Sequence, residues 1–396
     1  MKAYLVSLGC PKNLTDSEVL MGQLAANGYS ITLKPSEADI IIVNSCAFLK
    51  TARQEAVKVL REMQRYKKKI YLAGCLPKWI ERTKGKIKLP KTAGVIDSLG
   101  LFDYCTPRIK ATPPWTAYVK IAEGCSNCCS YCLIPTIRGK LKVRKIEDVL
   151  REVEGLAKRG VKEIIFIAQD TTAHPGLAKL LKGAARIKGI QWIRLMYTYP
   201  SHITDELIKV IASEKKIIKY LDMPIQHVNS SILRKMNRKY DRPRLEKIIA
   251  HLRERISGLA LRTSVIVGFP GEGEKEFTEL LDFVKTVKFD RLGAFKYQRE
   301  EGTRAAMMKG QVSEKKKEQR YHTLMAAQTE ISRELNNKWI GKKIAVLVED
   351  KNFGRTYRDA PEIDGRIIIK SRRVLTPGTL VRIEVTGARD YDLIGR

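Results

Sequence analysis

Eight cysteines carry most of the reactive potential of this 396-residue chain, and four of them crowd into Gly124-Cys125-Ser126-Asn127-Cys128-Cys129-Ser130-Tyr131-Cys132. Thiols stay reduced in a cytosolic protein, so the crowding points to a metal and not to a disulfide framework. Adjacent cysteines cannot both face inward on an ordinary strand. A four-cysteine zinc site normally pairs two C-x2-C knuckles separated by about a dozen residues or more. Here the two knuckles, Cys125/Cys128 and Cys129/Cys132, abut, and four thiolates from one short loop make a poor tetrahedron. An iron–sulfur cluster fits better, because thiolates from one loop can each bind a different iron. Read as C-x3-C-x2-C, the ligands are Cys125, Cys129 and Cys132, with Cys128 spare; Cys125, Cys128 and Cys132 form a second conceivable register. Three thiolates leave one iron of a four-iron cube open for chemistry.

Three further cysteines stand out by position. Cys10 follows the strand-like AYLVSLG, Cys46 follows the apolar run Ile40–Val43, and Cys75 follows Ile70-Tyr71-Leu72-Ala73-Gly74. Helical patterns at about 14–27 and 50–66 lie between them. Alternating strand and helix implies a parallel sheet. All three cysteines then sit at strand C-terminal ends, the edge where open α/β sheets bind ligands. The arrangement points to a second cluster; the plain alternative is three buried cysteines. Cys105 has no such placement and reads as structural.

These residues need elements to hold them. A βα domain over 1–108 is followed by a linker containing Pro107 and Thr112-Pro113-Pro114. A sustained β/α alternation then fills 115–332, with strands expected at 163–168, 191–197, 218–223, 260–267 and 290–296. Helices are expected at 146–159, 204–213 and 274–287. Such a core is a partial TIM-like barrel with site residues at the strand C-terminal ends. After a long charged helix near 313–335, residues 333–396 carry short apolar runs at 344–348, 366–369 and 380–385, as in a small all-β barrel. The fold class is α/β with a parallel-sheet N-terminal domain and a C-terminal β-barrel. His174, His202, His251 and His322 belong to no constellation and read as surface residues.

Formal net charge is +31, from 74 Lys+Arg and 43 Asp+Glu, while 44% hydrophobic residues exclude a disordered polycation. Segment charges are +10 over 1–110, +17 over 111–333 and +4 over 334–396, a spread that weakens the case for a dedicated basic tail. Acidic partners, nucleic acid first, are suggested; Lys67-Lys68-Lys69 and Lys84/Lys86/Lys88 could touch RNA or be solvated surface. No stretch approaches a membrane span and the start does not read as a signal peptide, so a soluble cytoplasmic protein is expected.

The whole length resembles the radical S-adenosylmethionine (SAM) methylthiotransferases, whose plan is an N-terminal three-cysteine domain, a radical SAM core and a TRAM barrel. The resemblance rests on SLGCPKN, KIAEGC, IPTIRG, IAQDTT, LMYTYP, LDMPIQH, MNR, VGFPGE, REEGT, GRTYRDAPEIDG and YDLIG. It is nearest to the subfamily that modifies an aspartate on protein twelve of the small ribosomal subunit. Cys128 departs from the family, which usually has a basic or polar residue there.

The resemblance implies two 4Fe-4S clusters, on Cys125/Cys129/Cys132 and Cys10/Cys46/Cys75. SAM would serve as radical source and methyl donor, and the second cluster would deliver methylated sulfur to the β-carbon. Tyr131 occupies the aromatic place before the last cysteine. Gln169, Asp170, Gln226, Gly268, Gly271 and Glu272 are expected around SAM, with Arg194 facing its carboxylate. Arg355, Tyr357, Asp359 and Glu362 are candidates for substrate docking. Implied partners are the ribosomal protein, with ribosomal RNA invoked because that protein is itself basic, and an electron donor such as flavodoxin or ferredoxin. The rival readings are a tRNA adenosine methylthiotransferase and an RNA-binding iron–sulfur redox protein.

Overall fold

The computed structural model describes residues 1–370 and 374–396. It divides into two compact units, Met1–Gly189 with Gln298–Met307, and Ile190–Tyr297 with Met308–Arg396. The cut falls inside the segment expected at 115–332.

In the first unit a five-stranded sheet has the spatial order Ser30–Ile31, β1 (Lys2–Ser7), β2 (Ile40–Ser45), β3 (Lys69–Gly74), Gly94–Ile96, all parallel. Strand β2 is the sequence IIIVNS and is buried at every position, as befits a central parallel strand covered on both faces. Its side chains alternate: Ile41 and Val43 join Leu60, Leu72, Leu76 and Trp79, while Ile40 and Ile42 pack with Ala3, Leu20 and Ala73. Helices α1 (Pro11–Ala26), α2 (Lys50–Gln64) and α3 (Cys75–Thr83) follow the three main strands in turn. Pro11 opens α1 one residue after Cys10, where its fixed φ suits a first helical turn. Farther along, β4 (Thr116–Lys120) pairs in parallel with Glu163–Ile167, and the short helix α4 (Ile134–Arg138) follows the cysteine loop.

In the second unit, strands Trp192–Leu195, Ile217–Asp222, Ala260–Val267 and Arg291–Lys296 are neighbours in chain order and parallel. The helix Glu314–Asn337 follows. Five strands then close a barrel in the order Lys343–Asp350, Phe353–Thr356, Ile367–Ile369, Leu393–Gly395, Leu380–Ala388. Ile344, Val346, Val348, Ile367, Ile383, Val385 and Leu393 fill it, and closure leaves no open sheet edge.

The α/β class and the C-terminal barrel match the sequence reading. Phe353–Thr356 and Leu393–Gly395 add two barrel strands too short to show a period. Among the described residues no helix is long and apolar enough to cross a membrane.

Candidate active site

The three N-terminal cysteines gather at one edge of the sheet, Cys46 and Cys75 level and Cys10 one residue further along. Cys46 and Cys75 each follow the last residue of their strand, and those last residues, Ser45 and Gly74, are register partners. Ser7 pairs with Asn44, which brings Gly9 opposite Cys46; a Cβ on Gly9 would lie 2.8 Å from the Cys46 Cβ and 3.2 Å from its Sγ. Gly74 has φ +87°, and a Cβ there would meet Asn44 Oδ1 at 2.3 Å and Ser45 O at 2.4 Å. Only glycine lets β3 turn directly into α3 and set Cys75 at the corner.

A buried amide lattice holds these loops. Asn13 Nδ2 donates to Leu8 O (2.6 Å) and Asn44 O (3.2 Å). Asn44 Nδ2 donates to Asn13 O (2.9 Å) and Ser17 Oγ (2.6 Å). Burial pushes the Cys75 thiol up to about 12 and raises Cys46. At Cys10 burial also pushes upward, but Lys12 and Arg138 outweigh it and the thiol falls below its ordinary value. One edge thus presents three thiols in mutual electrostatic reach.

The second trio sits on a loop between two glycines of positive φ, Gly124 and Gly139. Gly124 (φ +75°) would place a Cβ 2.3 Å from Lys140 O, and Cys125 N donates to Gly139 O at 3.0 Å. Cys132 N donates to Cys129 O (3.2 Å), and Ile134 N to Cys132 Sγ (3.4 Å). Cys125 is buried while Cys129 and Cys132 are half-buried. Burial raises the Cys125 thiol to about 11, with Asp170 and Cys129 adding to the shift. Cys128 is exposed, and its S–H donates to Ser126 O at 3.7 Å. This favours the Cys125/Cys129/Cys132 register. Among the described residues no three Cys, His, Asp or Glu side chains converge as a single metal ion requires; the corners of a multi-iron cluster accept thiols set farther apart. The donor set, all sulfur and on one short loop, fits an iron–sulfur group.

The segment Gln298–Met307 braces both trios. Glu300 accepts the Lys50 amide at 2.6 Å and pairs with Arg53 at 2.8 Å, just beyond Cys46. Ala305 N donates to Ser130 O at 2.9 Å, and Arg304 donates to Cys128 O. Asp170 accepts Asn127 Nδ2 (2.7 Å) and caps the turn at Thr171–Ala173. Gln169 donates to Glu123 Oε1 (3.0 Å). Tyr131 and Gln169 are half-buried and Asp170 is buried.

In the second unit Gln226 adopts φ +65° and bonds both ways with the Ala260–Val267 strand, accepting from Ile266 N at 2.7 Å and donating to Ser264 O at 2.9 Å. Gly268 and Gly271 have φ +74° and +82°. Glu272 has a fully buried side chain whose Oε1 accepts the Gly268 amide and Arg320, both at 2.9 Å. His227 Nδ1 accepts the Asn229 amide (3.0 Å), so its Nε2 carries the proton, 3.4 Å from Glu272 Oε2. Arg194 is fully buried over the Tyr220 ring and donates to Tyr357 O at 3.1 Å. Glu272 and Arg194 are thus held by internal partners, at the 268–272 loop and the barrel entry.

Several other expectations change. Arg355 is buried against Glu349, Asp359 pairs with Arg291, and the Tyr357 hydroxyl donates to Gly258 O. Of the four docking candidates only Glu362 is exposed to solvent. His174 is buried, not on the surface: Nδ1 accepts the Gly176 amide and Nε2 donates to Arg144 O. Cys105 is exposed. Sequence reasoning assigned no role to Asn13, Asp16, Glu123 or Arg138, which the fold gathers beside the N-terminal thiols; for Asn13, Glu123 and Arg138 their placement within SLGCPKN, KIAEGC and IPTIRG was the available signal, and Asp16 lies outside all three.

Three family profiles match: an uncharacterized protein family, UPF0004, over residues 2–96, the radical SAM superfamily over 119–284, and the TRAM domain over 340–396. The chain is 45% identical to the ribosomal protein uS12 methylthiotransferase RimO of Pelotomaculum thermopropionicum, covering 100% of this chain and 99% of that one. It is 43% identical to the RimO of Geobacter sulfurreducens, over 100% and 98%. Among solved structures it resembles the radical SAM methyltransferase TsrM of Kitasatospora setae, at TM-score 0.55 and 14% identity, over 74% of this chain and 72% of that one; that likeness concerns the fold. With full-length relatives at this identity, and the two cysteine trios within the spans of the UPF0004 and radical SAM profiles, the chain belongs to the RimO family of radical SAM methylthiotransferases.

Proposed function

We propose that this enzyme adds a methylthio group to the β-carbon of an aspartate of ribosomal protein uS12, with one 4Fe-4S cluster on Cys125, Cys129 and Cys132 and another on Cys10, Cys46 and Cys75. The observation that carries this reading is the placement of the N-terminal trio at one sheet edge within the compact unit that also contains the C-x3-C-x2-C loop. When bound, the clusters and SAM supply radical and sulfur chemistry, which acid–base side chains cannot provide at a carbon without an acidic proton.

The chain's own residues place and shield these groups. The Asn13–Asn44 lattice and Gly74 fix the N-terminal thiols, and Gly124, Gly139 and Ala305 fix the others. Tyr131, Gln169, Asp170, Gln226, Gly268 and Gly271 are assigned to SAM, with Arg194 and Glu272 acting from behind. The parts 1–108, 115–332 and 333–396 are assigned to sulfur transfer, radical generation and substrate recognition. The reaction is assigned to the cytoplasm, with an electron donor such as flavodoxin or ferredoxin and contact with ribosomal RNA.

Iron and sulfide analysis after anaerobic reconstitution tests the cluster count. About eight irons per chain are expected, and about four when either trio is replaced by alanine; about four in the parent would refute two clusters. Mass spectrometry of uS12 and bulk tRNA, from cells with and without the protein, tests the substrate. A methylthio gain confined to tRNA would overturn the assignment.

A further inference from the structure

Arg138 ends α4, yet its guanidinium serves neither that helix nor solvent. Nη1 donates to Asp16 Oδ2 (3.1 Å) and Glu123 Oε1 (2.8 Å), and Nη2 to Asp16 Oδ2 (3.1 Å) and Asn13 Oδ1 (3.3 Å). Lys120 contacts the same two carboxylates. All four charged side chains are nearly fully buried. Two cations and two anions thus balance, and the arginine is the member that reaches Asn13, whose own amide donates to Cys10 O at 2.8 Å. Its neighbour Ile137 packs in one cluster with Cys75, Leu76 and Trp79. Through Asn13 the guanidinium is one hydrogen-bonded residue from the Cys10 corner, and through Ile137 the same helical turn packs in the cluster that contains Cys75. On its other side α4 leads into Gly139, whose carbonyl holds Cys125.

We propose that Arg138 is a positioning residue for the N-terminal cluster, placing a fixed positive charge against Cys10 and Cys75 that raises the cluster's reduction potential, with α4 holding that charge in register with the Cys125 loop. The inference rests on the two-cluster reading. Thiolate-bound clusters carry negative charge, and nearby charge together with hydrogen bonds at sulfur sets their potential. In a site of low dielectric a single fixed charge acts strongly.

The test uses the full chain carrying Cys125→Ala, Cys129→Ala and Cys132→Ala, so that only the N-terminal cluster is reconstituted, with its potential read by redox titration of the EPR signal. Arg138→Gln should shift the potential negative, and Arg138→Lys should stay near the parent. Asp16→Asn, which removes the balancing negative charge, should shift it positive. Opposite signs for Arg138→Gln and Asp16→Asn cannot arise from a common loosening of the fold. An unmoved potential in Arg138→Gln, or shifts of one sign in both variants, would overturn the role. A background chain that binds no iron would instead refute the two-cluster reading, and this proposal with it.

Discussion

At the scale of single residues, Cys128 and Cys129 are adjacent in sequence and different in kind. Cys128 is exposed and bonded to the local carbonyl of Ser126, whereas Cys129 is near enough to Cys125 to raise that thiol. Cys128→Ser should therefore keep full iron content and SAM cleavage, and Cys129→Ser should lose both; anaerobic iron analysis and chromatography of the SAM products distinguish them. The reverse outcome would move the cluster to the alternative register. Asp364 offers a pH-dependent case. It accepts the Tyr220 hydroxyl at 2.7 Å and the Ala360 amide at 2.9 Å, and burial raises its carboxyl despite the opposing charge of Arg262. A carboxyl raised on folding contributes most below its unfolded value, and that contribution is lost as pH climbs through the folded one. Asp364→Asn should thus gain stability relative to the parent as pH rises from acid toward neutrality. Urea midpoints of the two apo proteins measure this, and a constant difference would refute it.

At the scale of elements, the two thiol sets depend on braces that no local pattern announces. Glu300 caps α2 from 250 positions away, and Arg138 reaches Asp16 across 122. The strand ends carrying Cys10, Cys46 and Cys75 were legible because apolar runs and helix periods are local signals. The brace residues were not, because their partners are set by packing. The internal partners of Arg194 and Glu272, Tyr357 O and Arg320, were hidden for the same reason. Glu300→Ala leaves Arg53 a buried, unpaired cation and the α2 amide without its acceptor. It should cost about 3–5 kcal/mol, whereas the exposed neighbour Glu301→Ala should stay within about 0.5 kcal/mol. Denaturant unfolding of both variants gives the comparison. Ile137→Ala, which empties the α4 side of the cluster around Trp79, should cost about 2–5 kcal/mol by the same measurement.

At the scale of the whole molecule the question is what a charge of +31 does. Free carboxylates in the acidic stretch DAPEIDG would repel phosphate and turn the barrel away from RNA, but Asp359 is paired with Arg291 and Asp364 with Arg262. Those carboxylates stitch the barrel to neighbouring strands and project little field. The repulsion argument against RNA contact therefore loses most of its basis, while the family assignment stands on full-length likeness. A polycationic enzyme is repelled by a free basic protein and attracted by RNA phosphate, and both effects are screened within about 10 Å at 0.1 M salt. If ribosomal RNA helps present the aspartate, methylthio incorporation into uS12 should be faster on assembled small subunits than on the isolated protein at low salt. Added salt should slow the first reaction and speed or spare the second, until the two rates converge. Mass spectrometry of uS12 from initial-rate samples reads both. Equal rates at low salt would show that the charge serves no substrate recognition, and would leave the aspartate and its immediate peptide as the whole determinant.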